Sequence, residues 1–201
     1  MKNSKKLGLV VSTFVGLVIA ATLSLASGII AFADGSKMRW DIVGVDTTTT
    51  PFTIVAGGTD KAAAVDGSTI SVTGSGTFVV GESDEVTGGG TWTTVASDGT
   101  TTTGSGTYQV TGLVRFDLAP GTFTSLPLLD GIGDAANARA GLAVLKIAYS
   151  DGARGVLVVS CHLGGTPNPV FEGITATKGF VDYLNKKSGA TLFHVSPENE
   201  E

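Results

Sequence analysis

The sequence predicts a mainly β fold, either an antiparallel β-barrel or a strongly curved β-sandwich with one or two short helices. Three observations point there. The first is composition: 201 residues carry 29 glycines and only 15% charged residues, against roughly 25% charged in an average soluble domain, which argues against a helical bundle or a coiled coil. The second is a motif of the form Thr-Gly-(Ser/Gly)-Gly-Thr-aromatic, present three times at residues 73–78, 87–92 and 103–108. The third is that the motifs sit in stretches of strict apolar/polar alternation, the period of a half-buried strand.

The chain opens with Lys2, Lys5 and Lys6 ahead of an apolar run over residues 7–32, followed by Ala31-Phe32-Ala33. A basic start, an apolar core and small residues at the cleavage positions make a secretory signal. Residues 1–33 are therefore expected to be a signal peptide or, because the run is long enough to span a bilayer, an uncleaved membrane anchor. Either way the remainder is expected outside the cell, secreted or held at its surface, with membrane contact only through residues 7–32 if uncleaved. Residues 34–196 are read as a single all-β domain and 197–201 as an acidic disordered tail. Removing residues 1–33 takes three basic residues and no acidic ones, so the formal charge of −5 becomes −8 over 168 residues. Such an acidic domain is not expected to bind nucleic acid. The lone Cys161 has no partner in the chain, so packing and hydrogen bonds must hold the domain together.

Met38, Trp40 and Ile42 alternate with Arg39 and Asp41 as a first strand, and Thr47–Thr50 reads as a loop. In the first motif, Ile70, Val72, Gly74, Gly76, Phe78 and Val80 share one face. In the third, Tyr108, Val110, Val114, Phe116 and Leu118 share the face of Gly104 and Gly106. Paired glycines on an apolar face are poor strand formers by themselves, and fit where a strand bends or a ring or backbone lies close. The alternation outlasts the short rungs of a β-solenoid, so a meander of hairpins is expected. Asp134–Ala140 reads as a short helical turn capped by Asp134. Asp151-Gly152 is expected to close a two-residue hairpin loop, setting Ile147 opposite Val156, Leu145 opposite Val158 and Leu142 opposite Cys161. Both faces of that hairpin are largely apolar, which calls for burial on both sides. Thr175–Asn185 fits strand or helix, and Thr191–Val195 is a last strand.

No catalytic constellation stands out. Cys161 and His162 are neighbours and so point to opposite faces of a strand. With His194 as the one other histidine and no ligand spacing, neither a metal nor a cofactor site is expected. Three residues are the candidates for chemistry: Arg115 and Asp117, two apart on one strand face, and Lys146, alone among apolar neighbours. Inside a barrel they would supply acid, base or orientation; outside it, Arg115 and Asp117 are a surface ion pair. Trp92, Tyr108 and His162 are the candidate ligand contacts. The leading expectation is a non-catalytic extracellular β-domain that binds a small apolar or polysaccharide ligand, or a partner subunit, including a homo-oligomer through the 142–163 hairpin. The alternatives are a barrel enzyme of isomerase or cyclase type acting on an apolar small molecule, and a self-assembling structural surface protein.

Overall fold

The computed structural model describes residues 35–125 and 127–196. The expected signal or anchor segment, 1–33, and the expected tail, 197–201, lie outside the described residues. Among the described residues fourteen strands follow one another: β1 (Lys37–Asp46), β2 (Phe52–Ala56), β3 (Asp60–Ala63), β4 (Thr69–Val72), β5 (Ser75–Val79), β6 (Gly89–Val95), β7 (Thr102–Ala119), β8 (Leu128–Asp130), β9 (Ala138–Tyr149), β10 (Arg154–Cys161), β11 (Gly173–Lys178), β12 (Val181–Tyr183), β13 (Asn185–Ser188) and β14 (Ala190–Val195). Every pairing is antiparallel except β2 with β8.

Six of these strands close into a barrel in the order β1–β5–β6–β7–β9–β14 and back to β1. From β6 the sheet continues outward through β4, β3 and β13, and from β9 through β10, β11 and β12. The two ends of this longer path are consecutive in the chain, with Leu184 alone between β12 and β13. Residues 181–188 thus run as one stretch that pairs first with β11 and then with β3, closing an outer ring.

The interior of the barrel is filled by side chains. Met38, Trp40, Phe78, Leu145 and Phe193 have no solvent exposure. The Phe78, Phe116 and Phe193 rings meet with centroids 5.1, 5.2 and 6.2 Å apart, tilted or edge-on as the ring quadrupoles prefer.

The repeated glycines are where strands and rings press together. A Cβ on Gly76 would lie 2.2 Å from the Thr87 carbonyl oxygen, and one on Gly90 would lie 1.9 Å from that of Thr73. The rings of the motif cover glycines of other copies: Trp92 lies over Gly104 and Gly106, and the Tyr108 hydroxyl over Gly74. The first copy does not continue as one strand. Its chain bends at Thr73-Gly74, so that β4 pairs with β3 and β6 while β5 crosses to β1.

β7 departs from simple alternation. Its register against β9 shifts between Val110 and Gly112 and again between Leu113 and Arg115. Each extra residue reverses which side chains face inward. Leu113 is therefore buried and Val114, expected inside, is 53% exposed; the second shift restores Phe116 to the inside.

The β9–β10 hairpin also differs by one residue from the expected register. Ile147 faces Gly155, Leu145 faces Leu157, Leu142 faces Ser160, and Cys161 faces Gly141. The reason is the loop. The Gly152 N–H donates to the Tyr149 carbonyl and the Tyr149 N–H to that of Ala153, with Gly152 at φ 89°. This is a three-residue loop with a left-handed glycine, the common alternative to a two-residue turn.

The expected helices reduce to one 3₁₀ turn at Phe123–Ser125. At Asp134 the carboxylate accepts from the Ala136 N–H at 2.9 Å and the carbonyl from Asn137 at 2.8 Å, but β9 begins at Ala138 and no helix follows. Thr175–Asn185 is extended, with a turn at Gly179 between β11 and β12.

Candidate functional site

The six residues singled out from sequence are not brought together. Arg115 and Asp117 pair at 3.1 Å on the outside of β7, 60% and 56% exposed. An exposed pair of this kind contributes little, so Arg115→Ala is expected to change stability by no more than about 0.5 kcal/mol in urea unfolding. Lys146 stands exposed on the outer face of β9, opposite Gly112 and Val156. Trp92 and Tyr108 are buried. The indole N–H of Trp92 donates to the Thr107 carbonyl at 3.1 Å, its ring meets Tyr149 edge-on, and the Lys178 ammonium lies 4.2 Å from its centroid. The Tyr108 hydroxyl donates to the Thr73 carbonyl at 2.9 Å. These two aromatics are spent on holding the barrel wall.

His162 lies elsewhere, just past the end of β10, in a polar nest. Its Nδ1 lies 2.7 Å from the Val170 carbonyl oxygen, an acceptor only, so Nδ1 carries the proton of this hydrogen bond. Its backbone N–H donates to Glu172 Oε2 at 2.5 Å, and the Thr191 N–H donates to Glu172 Oε1 at 2.5 Å. Glu172, at the entrance to β11, thereby ties the end of β10 to the start of β14. The Thr191 hydroxyl donates to the Ser160 carbonyl at 2.6 Å. Burial pushes the Glu172 carboxyl up to about 7, while the two amides pull the other way.

A second carboxyl belongs to this neighbourhood. Asp60, the first residue of β3, has no solvent exposure, and among the described residues its oxygens receive no hydrogen bond beyond a weak approach of the Ala190 amide. Its carboxyl packs on the backbone at Gly189 and beside Gly173. Burial, and then the charge of Glu172, push it up to about 7; the Ala190 amide and Lys186 act in the opposite sense.

Next to Glu172 is a cavity of about 150 Å³, lined by apolar side chains that include Val45, Ile54, Phe123, Leu128 and Leu192, with Glu172, His162 and Thr191 as its polar lining. It lies outside the filled barrel, where the ends of β1 and β14 meet β2, β8 and the turn at Phe123. Searches against protein-family models, curated proteins and solved structures find no match to this chain.

Of this neighbourhood, sequence reasoning reached His162 alone. Asp60 and Glu172 stand in no motif and no alternating run, and their encounter depends on the outer ring closing through residues 181–188. The one signal at hand was the pair of glycines against which the Asp60 carboxyl packs, Gly173 and Gly189, and glycine at a strand end has many commoner meanings.

Proposed function

We propose that this chain is a non-catalytic extracellular binding module, and that its ligand is a small apolar molecule seated in the cavity between β1, β2, β8 and β14. The observation that carries this reading is the cavity itself. A pocket of about 150 Å³ with largely apolar walls has room for a single aromatic ring. Left empty it deprives its lining side chains of contacts, so a guest of matching shape is favoured. The polar lining is already engaged: the Glu172 oxygens accept backbone amides and the His162 Nδ1–H donates to a carbonyl. That supports recognition rather than turnover, as does the placement of Arg115, Asp117 and Lys146 on outer surfaces. The basic-apolar N-terminal pattern supports export.

Thermal unfolding in the presence of benzene, indole or cyclohexanol tests the reading. A ligand at saturating concentration is expected to raise the midpoint by several degrees, since 1 kcal/mol of linkage is worth about 2–4 °C in a chain of this size. Ala190→Leu, which fills the cavity from its wall, is expected to abolish the shift. The reading is wrong if oligosaccharides shift the midpoint and apolar rings do not, or if the shift survives in Ala190→Leu.

A further inference from the structure

We propose that Asp60 and Glu172 form a proton-operated clasp on residues 181–188: the closing strand stays docked while at least one of the two carboxyls is protonated, and is released when both are ionised.

Four features of the geometry carry this. Residues 181–188 hold the outer ring shut with short ladders, three register pairs to β11 and three to β3, the latter interrupted by a register shift between Lys186 and Ser188. The strand has little burial to hold it, since Val181, Asp182 and all four residues of β13 are exposed and Tyr183 is the one buried side chain. Asp60 begins β3, the strand on which β13 docks, and is fully buried, with the Ala190 amide as a weak donor to its carboxyl. The carboxyl is wedged against Gly189, where a Cβ would stand 1.6 Å from Oδ1. Water cannot reach an Asp60 carboxylate until something beside it moves.

The charged and titratable groups facing the pair are few. Glu172 faces Asp60 from the entrance to β11 and Lys186 faces both from β13. The Cys161 thiol on β10 faces Glu172, and burial together with that carboxyl pushes it far up, so it stays neutral. His162 contributes its backbone amide to Glu172 and turns its ring Nδ1 to Val170. Among the described residues one cation faces two carboxyls, Asp60 fully buried and Glu172 partly so, and the doubly ionised state is disfavoured because desolvation and like-charge repulsion both oppose it. Detaching residues 181–188 relieves both by admitting water.

Linkage gives the sign. In the closed form Asp60 titrates near 7, whereas a hydrated aspartate titrates at about 3.9. The open form therefore binds fewer protons between those values, and opening becomes more favourable as pH rises through the window, then levels off above about 7. The closed state is at its most stable on the acid side.

Amide hydrogen exchange on the full chain tests this. Peptides covering 181–188 are followed from pH 5 to pH 8.5 and corrected for intrinsic exchange, with peptides from 142–149 in the barrel wall as reference. The opening equilibrium of 181–188 is expected to rise on the order of 10- to 100-fold between pH 5 and 7 and then flatten, while 142–149 does not change. Asp60→Asn, which removes the charge, is expected to abolish most of that rise. Lys186→Met, at an exposed position that leaves the core untouched, is expected to raise opening at pH 7.5 by about threefold or more, through loss of the cation that faces the pair among the described residues. The clasp is refuted if 181–188 shows no pH-dependent opening, if the dependence persists in Asp60→Asn, if Lys186→Met leaves opening unchanged, or if 142–149 opens in parallel.

Discussion

Gly90→Ala and Gly76→Ala are each expected to destabilise the domain by about 3 kcal/mol or more, or to prevent folding outright. A methyl at Gly90 would lie 1.9 Å from the Thr73 oxygen, 2.6 Å from its carbonyl carbon and 2.8 Å from the Gly74 Cα; one at Gly76 would lie 2.2 Å from the Thr87 oxygen and 2.7 Å from the Gly88 Cα. These neighbours are backbone, and a backbone inside a closed barrel has nowhere to retreat without moving its own ladder partners. Gly104 is the control. It is the first glycine of the third copy of the motif, on the same strand face as Gly106, but a methyl there would meet the edge of the Trp92 ring at 3.0 Å, and a side chain gives way by a small rotation. Gly104→Ala is expected to cost about 1 kcal/mol. Urea unfolding followed by tryptophan fluorescence ranks the three. A Gly90→Ala protein within 1 kcal/mol of wild type, or a Gly104→Ala protein less stable than it, would show that close backbone approach is not what the repeated glycines serve.

That contrast also marks what was legible in the sequence. Alternation over residues 70–80 and 104–110 set Ile70, Val72, Phe78, Tyr108 and Val110 on the buried side, because a half-buried strand leaves a period of two wherever its ladder is regular. Glycine beside aromatic announced close approach, and Trp92 over Gly104 and Gly106 bears that out. The alternation misled at Val114, since the register shifts in β7 depend on how β9 pairs with it and leave no mark on the local pattern. The β9–β10 hairpin was found but misregistered by one residue, because Asp-Gly suits both a two-residue and a three-residue loop. The polar groups were the least legible. Asp60, Glu172, Asp130 and His194 are each isolated in sequence, and they acquire partners only through contacts between distant segments.

Asp130→Ala is expected to destabilise the domain by about 3 kcal/mol, the cost of leaving a buried imidazole nitrogen and two loop amides without their hydrogen-bond partner. Asp130 Oδ2 and His194 Nε2 lie 2.7 Å apart with side chains 2% and 6% exposed. Asp130 Oδ1 accepts the Ile132 and Gly133 amides at 3.1 and 3.0 Å, and the Arg39 guanidinium, itself bound to Asp41, donates to the Ile132 carbonyl at 3.0 Å. Residues 130–133 are thus tied to β1 and β14 through polar groups almost throughout. His194 depends on this most, because its Nδ1 is already buried without a partner among the described residues; losing Asp130 leaves both ring nitrogens without one. Asp130→Asn keeps the oxygen that accepts the loop amides and turns an NH2 donor to His194 Nε2, which then serves as acceptor, and is expected to cost nearer 1 kcal/mol. Replacing both residues, as Asp130→Leu with His194→Leu, removes the stranded imidazole together with the carboxylate. The double variant is then expected to be more stable than the sum of the two single losses by about 2 kcal/mol, the coupling that a double-mutant cycle reads. Strict additivity would mean that the pair contributes nothing as a pair, and that Asp130 acts solely through the Ile132 and Gly133 amides.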